Sequence, residues 1–100
     1  LHNEAIAPDG VYATITALGS AALPSLTYIG RRPTFEGAAG QRMVEVHILD
    51  HTGDLYGRRL EVRFVKKLRD DIRFPSPQAL VEQMKADRQA ALEAITANRD

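Results

Sequence analysis

The sequence contains no cysteine, which removes disulfides, thiolate nucleophiles and every zinc site built on sulfur, and fits a reducing compartment. It contains only six aromatic residues, three Tyr and three Phe, too few for a surface that stacks the bases of an oligonucleotide. Neither sign of charge is in excess: 13 Lys plus Arg face 13 Asp plus Glu, so no global field draws the chain to phosphate backbones or anionic lipid. No apolar run approaches the roughly 20 residues that cross a bilayer. The N-terminus (Leu1, His2, Asn3, Glu4) shows no basic region followed by an apolar stretch. A soluble, cytoplasmic domain with neither nucleic acid nor membrane as partner is the expectation. Serines offer little for covalent hydrolysis, since Ser20, Ser25 and Ser76 sit in turn or cap contexts and none in a Gly-x-Ser-x-Gly elbow.

What is present fits one domain over residues 1–100, with strands over about 11–69 and a helix over about 77–97. Val11 to Leu18 alternates, with Val11, Ala13, Ile15 and Ala17 on one face and Tyr12, Thr14, Thr16 and Leu18 on the other, between Gly10 and the turn pair Gly19-Ser20. Leu26 to Ile29 is predicted as a short second strand starting after Pro24, which cannot donate to a ladder. Gly30 to Gly40 carries three glycines and no period, so a loop is expected there. Met43 to Asp50 alternates again, with Val44, Val46 and Ile48 against Met43, Glu45, His47 and Leu49. His51 to Gly57 turns the chain, and Leu60 to Leu68 is the last long strand. Short connections imply antiparallel pairing in a small sandwich or barrel. From Ser76, an expected N-cap, and Pro77, the period becomes helical. Leu80, Val81, Met84, Arg88, Ala91, Leu92 and Ile95 form one stripe that covers the sheet.

Glu45 lies mid-strand between two valines, where a carboxylate is unusual. It is either a solvated side chain or a carboxylate held on rigid backbone at a cleft, partly desolvated and suited to be a general base. His47 shares its face and His51 follows, but no third ligand is evident, so no metal-binding residue is assigned. The Gly30-Arg31-Arg32-Pro33-Thr34-Phe35 segment could offer guanidinium groups to phosphate, or simply turn. Lys66-Lys67-Leu68-Arg69 reads as a solvated edge guarded by lysines rather than a nucleic-acid patch. Phe74, five residues after Arg69, either packs the helix onto the sheet or joins that cation in holding a flat heterocycle.

Taken in order, GVYA at Gly10 to Ala13, IGRRPTF at Ile29 to Phe35, VEVHILD at Val44 to Asp50, DLYGRRL at Asp54 to Leu60 and KKLRDDIRFPS at Lys66 to Ser76 resemble the riboflavin kinase module of bacterial bifunctional riboflavin kinase/FMN adenylyltransferase (FAD synthetase). The resemblance spans about Pro8 to Ile95. It implies an all-β, antiparallel Greek-key barrel with one C-terminal helix. The implied reaction is Mg2+-dependent transfer of the ATP γ-phosphate to the 5′-hydroxyl of riboflavin, giving FMN. It implies Glu45 as the catalytic base, Ile48, Asp50 and Tyr56 at nucleotide-binding positions, and Arg69, Ile72 and Phe74 at flavin-binding positions. Relatives carry, upstream of the segment matching Leu1, a first strand, a glycine-rich loop and a Pro-Thr-Ala-Asn motif that binds Mg2+ and nucleotide. Pro33-Thr34-Phe35 matches a different family segment, so no metal role passes to Thr34. The expectation is therefore a partial module, inactive alone, whose parent carries an adenylyltransferase domain, and whose unpaired barrel edges favour self-association. The alternative is a noncatalytic flavin-binding or small-barrel interaction module.

Overall fold

The computed structural model describes residues 7–31, 42–49 and 60–98. Four strands, β1 (Gly10–Leu18), β2 (Ala21–Arg31), β3 (Arg42–Ile48) and β4 (Glu61–Arg69), precede one helix, α1 (Pro77–Ala97). The strands form one sheet in the order β3-β2-β1-β4, every pair antiparallel. Three strands in hairpin succession with the fourth returning beside the first is Greek-key order, so the all-β class with one C-terminal helix holds. Among the described residues β3 and β4 are the outer strands, where the expected strand exchange between copies would have to occur.

β2 is longer than its sequence pattern indicates. Ala21 to Pro24 pair residue for residue with Leu18 to Ile15, because Gly19 adopts a left-handed φ of 62° and closes a two-residue turn with Ser20. Pro24 is accommodated because it lies one residue past the last β2–β3 pair, Ser25 with Ile48, and participates through its carbonyl, which accepts from the Leu49 amide at 2.9 Å. Gly30 and Arg31, expected in a loop, complete the strand. The rest of that loop and the turn expected over His51 to Gly57 lie outside the described residues.

One sheet face packs α1 through Val11, Ala13 and Leu26 against Ala91 and Ile95, with Leu49 at the margin. The other face buries Thr14, Thr16, Ser25 and Thr27 completely, although alternation alone would leave such residues wet. Their hydroxyls satisfy one another across the β1–β2 register: Thr16 to Ser25 at 2.8 Å, Ser25 to Thr14 at 2.7 Å, Thr14 to Thr27 at 3.0 Å. Thr14→Val keeps the shape but deletes the central hydroxyl and strips Thr27 of this partner. A loss of about 1–3 kcal/mol in urea denaturation is expected, and unchanged stability would show the chain of hydroxyls to be dispensable.

The helix starts where the sequence indicates. Ser76 is extended (φ −155°, ψ 159°), its Oγ accepts from the Ala79 amide at 3.1 Å, and Pro77 occupies the first turn. The expected apolar stripe does not pack along its whole length. Ala91 and Ile95 are buried, but Leu80, Val81 and Met84 remain 41%, 48% and 44% exposed, so the N-terminal half stands off the sheet. The buried residue in that half is Asp87, in place of the expected Arg88. No helix among the described residues is long and apolar enough to cross a membrane.

Candidate functional site

Strand register assembles the site. Glu45 on β3 lies opposite Tyr28 on β2, Tyr28 opposite Val11 on β1, and Val11 opposite Arg69 on β4. Directly paired residues of antiparallel strands share a face, so this row carries Glu45 and Arg69 on the helix-facing side of the sheet. The next row on this face is His47, Leu26 and Ala13, whose Leu26 and Ala13 join the core with Ala91 and Ile95.

Glu45 is exposed rather than partly desolvated, because β3 is an outer strand with no described neighbour on its far side. It nonetheless lines a cavity of about 160 Å3 with Tyr28, Ile29, Gly30, Arg31, Met43 and Asp71. Asp71 arrives from the β4–α1 connection. Its carboxylate occupies the space that a Cβ on Gly30 would need, so the bare backbone at Gly30 is what admits this side chain beside Glu45.

Gly10 plays the matching part at the other end of the row. It has a φ of +155°, and a Cβ there would fall 2.8 Å from the Arg69 carbonyl oxygen, so glycine lets the end of β4 close onto β1. Arg69 is then held on three sides. Its Nε and Nη2 donate to the two carboxylate oxygens of Asp87 at 2.9 and 2.8 Å, and Nη1 donates to the Asp70 carbonyl at 3.0 Å. Its guanidinium carbon lies 5.4 Å from the centre of the Phe74 ring. Arg69 and Phe74 are thus brought together, the guanidinium over the ring, rather than spaced for another ring between them. The Asp87 pair holds the Arg69 guanidinium above its ordinary pKa despite burial, so it is a permanent cation. Ile72, in the same connection, is 49% exposed.

Where the N-terminal half of α1 stands off, a groove of about 300 Å3 opens between Leu26, Tyr28, His47 and Leu49 on the sheet side and Val81, Met84, Lys85 and Arg88 on the helix. Tyr28 borders both this groove and the Glu45 cavity. Burial, together with the negative charges of Asp87 and Glu45, pushes the Tyr28 phenol above its ordinary pKa against the opposing pull of Arg69, so it is a neutral hydrogen-bonding group at physiological pH.

The remaining sequence-derived residues separate from this cluster. Ile48 is buried on the opposite face of β3, paired with Ser25, and does not reach the Glu45 cavity. Asp50, Tyr56, His51 and the Arg32 to Phe35 segment lie outside the described residues. Lys67 pairs with Asp70 at 2.8 Å, which raises the lysine pKa and lowers that of the aspartate, so the basic run is partly neutralised within itself. Among the described residues no three His, Asp or Glu side chains converge to hold a metal ion. Three participants, Tyr28, Asp71 and Asp87, escaped sequence reasoning. Asp87 alone left a signal there, as a carboxylate three residues from Met84 and four from Ala91 on the apolar stripe.

The riboflavin kinase family model (Flavokinase) matches residues 1–95. The chain is 45% identical over 92 residues to the bifunctional riboflavin kinase/FMN adenylyltransferase of Pseudomonas fluorescens, covering 90% of this chain and 29% of that protein. It is 44% identical over 85 residues to that of Escherichia coli K12 (84% and 26%) and 30% identical over 88 residues to that of Bacillus subtilis (87% and 28%). It thus spans less than a third of the length of these relatives. Among solved structures, a crystal structure described as a macrolide-efflux protein from Streptococcus pneumoniae superposes with a TM-score of 0.71 at 32% identity, over 83% of this chain and 27% of that one.

Proposed function

The chain belongs to the riboflavin kinase family, and on that premise we propose that it supplies the flavin side and the catalytic base of an ATP:riboflavin 5′-phosphotransferase within a bifunctional FAD synthetase. The observation that carries this reading is that one side chain, Tyr28, borders both an apolar groove and a carboxylate-lined cavity. Riboflavin has matching parts: a flat, largely apolar ring system, and a polyol tail ending in the hydroxyl to be phosphorylated. A groove of about 300 Å3 is at the small end of ligand sites, suited to a ring entered from one side. Val81 and Met84, costly to leave exposed on a helix, become contact surface for that ring. Ile72, Arg69 and Phe74 line neither of these two spaces, and their proposed contact with the flavin is from the β4–α1 connection beside them.

With the ring in the groove, the tail runs past Tyr28 toward Glu45 and Asp71. A primary alcohol is un-ionised at neutral pH, so Glu45 orients the 5′-oxygen by accepting its hydrogen bond and takes the proton as the new P–O bond forms. The bond between the γ-phosphorus and the β–γ bridging oxygen breaks, and ADP leaves. ATP is the second substrate, with Ile48, Asp50 and Tyr56 as its proposed contacts. Magnesium, where bound, neutralises charge on the transferring phosphoryl group. The described residues provide no cage for it, and no step here depends on it. A cytoplasmic location belongs to the same reading, since ATP and riboflavin must both reach the site.

The test is direct. The full-length protein incubated with riboflavin, ATP and Mg2+ is expected to yield FMN and ADP in equal amounts, resolved by chromatography. Saturable riboflavin binding without FMN would favour the noncatalytic flavin-binding alternative, and absence of both would end the proposal.

A further inference from the structure

Asp87 is an expensive residue where it stands. It is 2% exposed, midway along α1, on the side turned toward the sheet, and an ionised carboxylate there must be paired to be tolerated. Three of its roughly four acceptor positions are occupied by side-chain donors. Oδ1 accepts from Arg69 Nε at 2.9 Å and from Gln83 Nε2 at 3.0 Å, and Oδ2 accepts from Arg69 Nη2 at 2.8 Å. An apolar side chain such as leucine, with the same branched skeleton, would be buried without desolvating a charge, so stability alone is a weak reason for an ion pair at this position. What a two-pronged carboxylate provides and a leucine does not is orientation, because a fork-to-fork pair fixes the plane of the guanidinium.

That plane sets the shape of the connection after β4. The guanidinium carbon lies over the Phe74 ring, and the Asp70 carbonyl accepts from Nη1, the nitrogen Asp87 leaves free. Residues 70 to 74 are therefore tied to Arg69 at both ends. From within this segment Asp71 reaches over Gly30 into the Glu45 cavity. A rotation of the guanidinium would loosen both ties and change where residues 70 to 74, Asp71 among them, lie relative to Glu45.

We propose that Asp87, steadied by Gln83, is a positioning residue for the flavin substrate, acting through Arg69 to hold the 70–74 connection in register with Glu45. This rests on the riboflavin kinase reading above. It predicts a defect in riboflavin use separable from loss of stability, since misplaced substrate contacts can cost between about tenfold and 10²-fold without touching the reacting atoms.

The experiment uses steady-state kinetics of the full-length protein at a temperature where each variant is shown by circular dichroism to be folded. Asp87→Asn, which places an amide NH2 against arginine donors, is expected to raise the riboflavin KM about tenfold or more, while the ATP KM and kcat stay within about threefold. Gln83→Ala should shift the riboflavin KM in the same direction by less, and it retains the ion pair, so it reports even if Asp87→Asn does not fold. Arg69→Lys keeps the charge and loses the fork, so it should reproduce the Asp87→Asn defect, and the double variant should be no worse than either single one. A lowered melting temperature with an unchanged riboflavin KM would reduce Asp87 to a structural residue, and multiplying defects in the double variant would remove Arg69 as its intermediary. Either result leaves the kinase reading intact, whereas wild-type protein that forms no FMN would overturn that reading and this inference together.

Discussion

Glu45→Gln is expected to slow FMN formation by about 10²- to 10⁴-fold while riboflavin binding, followed by flavin fluorescence, changes little. The amide matches the carboxylate in size and keeps an oxygen that can accept the substrate hydroxyl, so the tail should still be oriented. What it lacks is the basicity to take the proton as phosphorus approaches. The effect is bounded because phosphoryl transfer draws most of its acceleration from positioning and charge neutralisation, which this substitution leaves in place. The loss should therefore appear in kcat, with the KM values nearly constant. Glu45 is exposed on an outer strand, where the interactions of a charge are screened by water and contribute about 0–1 kcal/mol, so the folded state should change little. A variant retaining more than about a tenth of the wild-type rate would take Glu45 out of the proton transfer. A variant that loses riboflavin binding would make it a binding residue instead.

The second large effect concerns stability. Arg69→Ala leaves the Asp87 carboxylate, with 3% of its side chain exposed, facing the place its partner occupied. Breaking a buried pair from one side costs about 3–5 kcal/mol, because the remaining charge keeps its desolvation penalty and loses its compensation. That is a large fraction of the roughly 5–15 kcal/mol by which a domain is stable. In urea denaturation the midpoint should fall sharply with the slope unchanged. The companion variant makes the cause identifiable: replacing Arg69 and Asp87 together by leucine should recover most of the loss, because two apolar side chains leave no charge behind. A single substitution costing under about 1 kcal/mol would mean that water reaches the pair and screens it as it does a surface bridge. If the leucine pair folds well but handles riboflavin poorly, the ion pair serves the substrate site more than the fold.

Much of the architecture was legible in the chain itself. The alternation of Val11 to Leu18 and of Met43 to Ile48, the turn at Gly19-Ser20, and Ser76-Pro77 opening the helix all appear where local chemistry puts them. These are short-range signals: side-chain period, φ preference and capping, each decided within a few residues. The extension of β2 through Pro24 was not legible, because whether a proline is tolerated depends on which neighbour its missing N–H would have met. The burial of Thr14, Thr16, Ser25 and Thr27 was not legible either. Threonine and serine alternate as readily on a wet face, and only the β1–β2 register brings each hydroxyl within 3.0 Å of another.

The sequence by itself determined the antiparallel strands, the terminal helix, the family, and Glu45, Arg69 and Phe74 as residues of interest, because periodicity and ordered motifs are properties of the chain read along its length. The tertiary structure decided what these residues do for one another. It set Glu45 in a row with Tyr28 and Arg69, brought Asp71 over a glycine to the Glu45 cavity, and turned Asp87 inward to grip a guanidinium 18 residues away in sequence. The physical reason is that pairing and burial are settled between segments. A carboxylate on a helix carries no local mark of whether it will meet water or an arginine until the sheet beneath it has formed.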